Sequence, residues 1–363
     1  MINNSKNKHI AYVGTYTDNG SRGIYGFSID SSKGTVEDLG LLAELQHPTY
    51  LTIASNNKHL YSVIKKQHSL GDSLGGAAAF SIDSQSGKLS LLNYEVASGK
   101  PPCHIRADRC NKYLFTANYH EGRVMVHPIN LDGSLCPSSS VIIHEGFGKH
   151  KERQEKPHVH YVTLTTDEKH LCAVDLGIDK VMLYDFNSED GTLSPSNIPF
   201  IQVKPGSGPR HMTFSHDGKF AYVINELSSD ILVLEYDNKD LCFKEIQYIS
   251  ALPKGYDGIS YGAAIHITPN DEYLYASNRG HDSLAIFKIN KTTGGLQFLC
   301  HCSTLGNFPR DFVIDPTGNF VFVANQNSNT VIPFAIVKES NRLEQVSEAI
   351  KIPSPVCIKI LSL

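Results

Sequence analysis

The chain has 363 residues, 40% of them hydrophobic and 19% charged, with a formal net charge of −4. This is the composition of a folded globular protein, and the near-balanced charge excludes a dominant attraction to nucleic acid or to an anionic membrane. No run of about 18 apolar residues is present to cross a membrane as a helix. Met1-Ile2-Asn3-Asn4-Ser5-Lys6 has no apolar run after its charge, so it does not read as a secretory signal. The eight cysteines are scattered, and many lie in apolar strand patterns such as Leu171-Cys172-Ala173-Val174. Reduced, buried thiols and a cytoplasmic location are expected.

His9 to Tyr16 reads as a strand, and Ile24 to Ile29 as the next. Related segments then begin near Pro48, Pro102, Pro157, Gly208, Gly262, Pro309 and Pro355, about every fifty residues. The clearest copy runs from Gly208-Pro209-Arg210-His211 through the turn at Asp217-Gly218 to Asn225-Glu226. Within it Pro209–Ser215, Phe220–Asn225, Ile231–Tyr236 and Phe243–Ile249 read as four successive strands. The second strands are rich in aromatic and β-branched residues, as in Phe320-Val321-Phe322-Val323, which suits sheets packed face to face. No amphipathic helical pattern of useful length is present.

A repeat of four short strands signals a β-propeller. Seven copies give about 52 residues each, near the roughly 40–50 expected of one blade. The expected fold is therefore all-β, a single seven-bladed β-propeller domain over residues 1–363. The N-terminal copy lacks its first strand, and Pro355-Val356-Cys357-Ile358-Lys359 matches a first strand with nothing after it. The two ends are expected to complete one blade and leave no frayed edge. A closed ring needs no partner, so a monomer or weak homo-oligomer is expected.

Two irregular stretches interrupt the pattern, His144 to Pro157 and Lys254 to Gly262. The first, rich in charge, reads either as a solvated loop or as a flap over the channel mouth. Cys300-His301-Cys302 fits no common zinc spacing. His158-Val159-His160 could be half of a metal site but lacks further ligands, so no metal and no cofactor are expected.

In a propeller the first strand of each blade lines the channel, and its start lies beside the end of the second. Arg210 and Glu226 occupy those two places, 16 positions apart. The same reasoning pairs His158 and His160 with Asp175, His104 with Asn118, His266 with Asn278 and Arg279, and Arg310 with Asn325 and Gln326. Such a rim of His, Arg and Glu is costly to bury and unnecessary for packing. Structural readings stay open beside it: an ion pair fixing a hairpin for Arg210 and Glu226, a strand histidine for His266, a turn cap for His160. No Gly-x-Ser-x-Gly element, phosphate loop or dinucleotide fingerprint occurs. Imidazole, carboxylate and guanidinium groups suit water activation or proton abstraction on an anionic substrate.

Glu152-Arg153-Gln154-Glu155-Lys156-Pro157-His158-Val159-His160, Gly208-Pro209-Arg210-His211-Met212, Asn225-Glu226-Leu227, Ile265-His266-Ile267 and Pro309-Arg310-Asp311-Phe312 together carry a resemblance. The chain resembles the seven-bladed propeller lactonases, whose assigned activity is 6-phosphogluconolactonase, over nearly its whole length. The same fold family includes a carboxy-muconate lactonizing cycloisomerase. The resemblance implies His160, Arg210, Glu226 and Arg279 as catalytic residues. It implies a small anionic sugar lactone as partner, and hydrolysis in the pentose phosphate pathway with His160 or Glu226 as base and Arg210 at the oxyanion. His158, His266, Arg310, Arg153 and His104 are the expected substrate-binding residues. A muconate-type cycloisomerase and a non-catalytic binding propeller stand as alternatives.

Overall fold

The computed structural model describes residues 8–67, 73–239, 241–337 and 342–362. Met1 to Lys6, read above for a signal, lie outside the described residues. The protein is all-β, and the only helical element among the described residues is a short 3-10 turn, Thr17–Asn19. Seven antiparallel sheets, each of four strands in hairpin order, follow one another along the chain. The seventh sheet carries one further short strand, Ile350–Lys351.

The expected strands are present with ends shifted by one residue or none. The fifth sheet is built from Pro209–Phe214, Phe220–Asn225, Asp230–Asp237 and Cys242–Ser250. The first sheet takes Pro355–Ser362 from one end of the chain and Lys8–Thr15, Gly23–Asp30 and Thr35–Glu44 from the other. Val13 lies opposite Ile358 in the shared hairpin.

The sheets belong to two compact units. One comprises Met1–Leu114, Pro128–Pro137 and Thr304–Leu363; the other comprises Phe115–His127 and Ser138–Ser303. The first, second and seventh sheets lie in the former, and the fourth, fifth and sixth in the latter. Within each unit the second strands alternate large apolar side chains that are fully buried, among them Tyr12, Tyr61, Tyr222 and Phe322.

Three of these tyrosines use the same device. The hydroxyl of Tyr12 donates to Gly87 O at 2.7 Å, that of Tyr61 to Gly133 O at 3.1 Å, and that of Tyr222 to Gly294 O at 3.0 Å. Each acceptor is a turn glycine of the next sheet. An aromatic ring fills the space between sheets, and its polar end satisfies a turn carbonyl. Burial pushes all three phenols above their usual pKa.

A second device starts the first strands. His47, Gly208, Phe308 and Ser354 have positive φ, between 43° and 64°, and each precedes a proline. The left-handed residue turns the chain, and the proline, which has no N–H to leave unpaired, opens the strand at Pro209, Pro309 and Pro355, while Pro48 stands three residues before Leu51–Ile53. Glycine adopts this conformation freely at position 208, whereas Phe308 pays about 1 kcal/mol or more for it.

Candidate active site

The first hairpin of the fifth sheet sets Pro209 opposite Asn225, with a bulge between Pro209 and His211. Arg210 is the bulged residue. A β-bulge leaves one residue outside the ladder and re-aims its side chain. The fourth sheet repeats the arrangement with His160 between Val159 and Tyr161, and the seventh with Arg310 between Pro309 and Asp311. Three residues expected at a rim thus occupy one structural position.

Glu226, the residue after Asn225, is the centre of a buried cluster in the second unit. Its Oε2 accepts from Arg210 Nε at 3.0 Å and from Arg279 Nη2 at 2.7 Å, and its Oε1 accepts from Arg153 Nη2. Arg210 also donates to Ala263 O at 2.7 Å and Arg279 to Gly262 O at 3.1 Å, so neighbouring backbone fixes both guanidiniums. Burial alone would raise the Glu226 pKa. Arg279, Arg210, His160 and Arg153 outweigh it and hold the carboxyl well below the usual carboxylate range. The ring of Tyr261 has the guanidiniums of Arg153 and Arg279 each 5.7 Å from its centroid.

The two candidate histidines have different surroundings. His158 stacks on Tyr119 at 4.2 Å; its Nδ1 contacts Tyr119 O at 2.8 Å and its Nε2 contacts Glu155 Oε2 at 3.2 Å. His160 packs edge-on to Tyr119, 5.8 Å away, and lies 5.3 Å from the ring of His211. Arg210 Nη1 meets His211 Nε2 at 3.1 Å. A guanidinium only donates, so Nε2 accepts and the His211 proton is on Nδ1. His160 therefore joins the Glu226 cluster, while His158 faces Tyr119 and Glu155.

Arg153 arrives from the irregular stretch 145–157, which is pinned rather than solvated throughout. Gln154 is fully buried, donates to Leu176 O at 2.8 Å and accepts from His150 N at 2.9 Å. Lys156 Nζ donates to His120 O at 2.9 Å. The side chain of Arg153 is 31% exposed, against 3% for Arg210 and 6% for Arg279. It is the one guanidinium of the three that is carried by no strand.

Other expected pairings differ. His266 lies opposite Tyr275, while Arg279 faces Tyr261 and Asn278 faces Gly262. Gly262 holds the place opposite the asparagine that Pro209 holds in the fifth sheet, so His266, four residues further along, lies well inside the strand and away from its start. The Asp175 carboxylate meets the ring of His144, at 2.6 Å, and the backbone of His158, not the ring of His158 or His160. His104 and Arg310 belong to the first unit, where His104 packs 4.2 Å from Tyr50 and the Arg310 guanidinium lies 5.5 Å from the centroid of the Tyr16 ring. Tyr119, His211 and Tyr261 were not foreseen. The signal for Tyr261 was its place one residue before a first-strand glycine. Among the described residues no group of three or more His, Cys, Asp or Glu side chains is gathered to hold a metal, and no disulfide joins the cysteines.

The chain is 44% identical to the 6-phosphogluconolactonase of Bacillus subtilis over 354 residues, 98% of this chain and 99% of that protein. It is 35% identical to the 6-phosphogluconolactonase of Formosa agariphila over 93% of this chain and 95% of that protein. Among solved structures, a periplasmic gluconolactonase of Pseudomonas aeruginosa superimposes with a TM-score of 0.92 at 33% identity, covering 98% of this chain and 99% of that one. The family described as Lactonase, 7-bladed beta-propeller matches residues 10–360, and the chain belongs to that family, with its seven-bladed β-propeller fold.

Proposed function

We propose that the protein hydrolyses a sugar δ-lactone, with 6-phosphoglucono-δ-lactone as its substrate. One observation carries the reading: at Glu226 three guanidiniums surround a single carboxylate. The excess positive charge, largely withdrawn from water, suits an anionic ligand and an oxyanion formed beside it. A buried ion cluster is a poor way to gain stability. The relatives named 6-phosphogluconolactonase support the same substrate class.

His160 serves as general base. It removes a proton from water as the water oxygen attacks the lactone carbonyl carbon. Arg210 stabilises the negative charge that develops on the carbonyl oxygen, and Arg279 holds the anionic substrate together with Arg153. When the tetrahedral intermediate collapses, the bond from the carbonyl carbon to the ring oxygen breaks. The imidazolium returns its proton to that oxygen, giving the open-chain acid. Glu226 is not the base in this scheme, because a carboxyl held ionised by its neighbours has little affinity for a proton. It acts as the counterion that orders Arg210 and Arg279. The same reading takes residues 1–363 as one enzyme domain, acting in the cytoplasm in the oxidative pentose phosphate pathway. No helix among the described residues is long and apolar enough to cross a membrane.

The test is hydrolysis of freshly generated 6-phosphogluconolactone above the spontaneous rate. Arg210→Ala should lower kcat about 10²–10³-fold, and wild-type turnover in that variant would sink the assignment. A second substrate, unphosphorylated gluconolactone, is favoured by the name of the Pseudomonas relative. If it is the true substrate, kcat/KM will be higher without the phosphate than with it.

A further inference from the structure

Asp175 ends the strand His170–Asp175 and is fully buried. Its carboxylate accepts from three donors. His144 Nδ1 donates to Oδ2 at 2.6 Å, and the backbone N–H groups of His158 and Gly177 donate to Oδ1 at 2.7 and 2.9 Å. His144 immediately precedes the segment 145–157 and His158 immediately follows it. One carboxylate therefore grips both ends of the stretch that delivers Arg153. The proposed reaction does not use either residue.

We propose that Asp175 and His144 are a clasp that holds the 145–157 segment in the position from which Arg153 reaches Glu226, making Asp175 a positioning residue for substrate binding. The proposal rests on Arg153 being a substrate-binding group. Three observations carry it. The His144 side chain is 1% exposed, and its Nε2 makes no hydrogen bond among the described residues, so the ring relays no proton onward and acts as a one-sided donor. The backbone makes room for the clasp: a Cβ on Gly177 would lie 2.0 Å from Lys156 O and 2.7 Å from His158 N. The other pins act inside the segment, since Gln154 ties it to Leu176 O and to His150, and Lys156 ties it to His120 O, whereas Asp175 joins the two ends. Bonds to an ionised acceptor are also the stronger kind, roughly twice a neutral pair.

Limited trypsin digestion reads the clasp directly, because Lys149 and Lys151 are exposed on the segment. His144→Phe keeps a ring but loses the donor, and Asp175→Asn presents an amide to the His144 ring. His144→Asn keeps a donor where Nδ1 stands. Cleavage at Lys149 and Lys151 should be about tenfold faster or more in the first two variants and near wild type in His144→Asn. KM for the phosphorylated lactone should rise in His144→Phe as much as in Arg153→Ala, with kcat little changed, and the double variant should show no further rise. His144→Phe cleaved at the wild-type rate with an unchanged melting temperature would overturn the clasp, as would an additive rise in KM. If the wild type does not accelerate lactone hydrolysis, the functional reading fails, and the digestion still decides the clasp by itself.

Discussion

The fifth and seventh sheets carry the same hairpin with one functional difference. In both, proline faces asparagine, an arginine is bulged, and the residue after the asparagine donates its N–H to the carbonyl before the proline. In the fifth that last residue is Glu226; in the seventh it is Gln326. Arg210 bonds Glu226 and is 2% exposed. Arg310 is half-buried beside the Tyr16 ring, pairs with no carboxylate among the described residues, and Gln326 Oε1 has no hydrogen-bond partner among them. The bulge presents an arginine in either case. Where the neighbouring residue is a carboxylate, that arginine is part of a buried charged cluster; where it is an amide, the arginine lies against an aromatic ring.

The comparison breaks hardest at Glu226. Glu226→Gln gives the fifth sheet the seventh sheet's residue and leaves Arg210 and Arg279 buried without their counterion. Stability should fall by about 3–5 kcal/mol, measured by urea unfolding, and lactone turnover should fall with it. Unchanged stability would mean that the cluster is not held by that charge.

Acid titration sharpens the same contrast. The folded Glu226 pKa is depressed, so its charge contributes stability above the ordinary value of 4.5, and the contribution is lost as pH falls through the folded value. Melting temperatures should drop more steeply below pH 4.5 in the wild type than in Glu226→Gln; parallel curves would contradict the depressed pKa. The smallest effect is the reverse exchange. Gln326→Glu should draw Arg310 off Tyr16 into an ion pair. Stability should change by no more than about 1 kcal/mol, and its melting temperature should become more sensitive to salt.

Much of this was legible in the sequence because the repeat couples turn chemistry to strand length. The second strand of the fifth sheet, Phe220–Asn225, has the ends read from its pattern. The contact of Arg210 with Glu226 followed from hairpin geometry alone, since both residues flank a turn of known type. His266 was misplaced because the strand starts at Tyr261 and Gly262 faces Asn278, which leaves the histidine four residues beyond the position that Pro209 marks in the fifth sheet. His144 was invisible as a partner of Asp175 because it arrives from an irregular stretch, where sequence spacing says nothing about distance. His211 was hidden beside Arg210. Successive residues of a strand face opposite ways, and only the bulge lets both join one cluster.

The sheet shared by the two ends has a consequence for synthesis. Lys8–Thr15 leaves the ribosome among the first strands, but its partner Pro355–Ser362 follows roughly 340 residues later, a wait of roughly 20–70 s at about 5–20 residues per second. During that time one edge of the nascent sheet has no partner strand and can pair with another chain. A chain interrupted between the two strands would carry nearly all of its sheets and one uncovered edge.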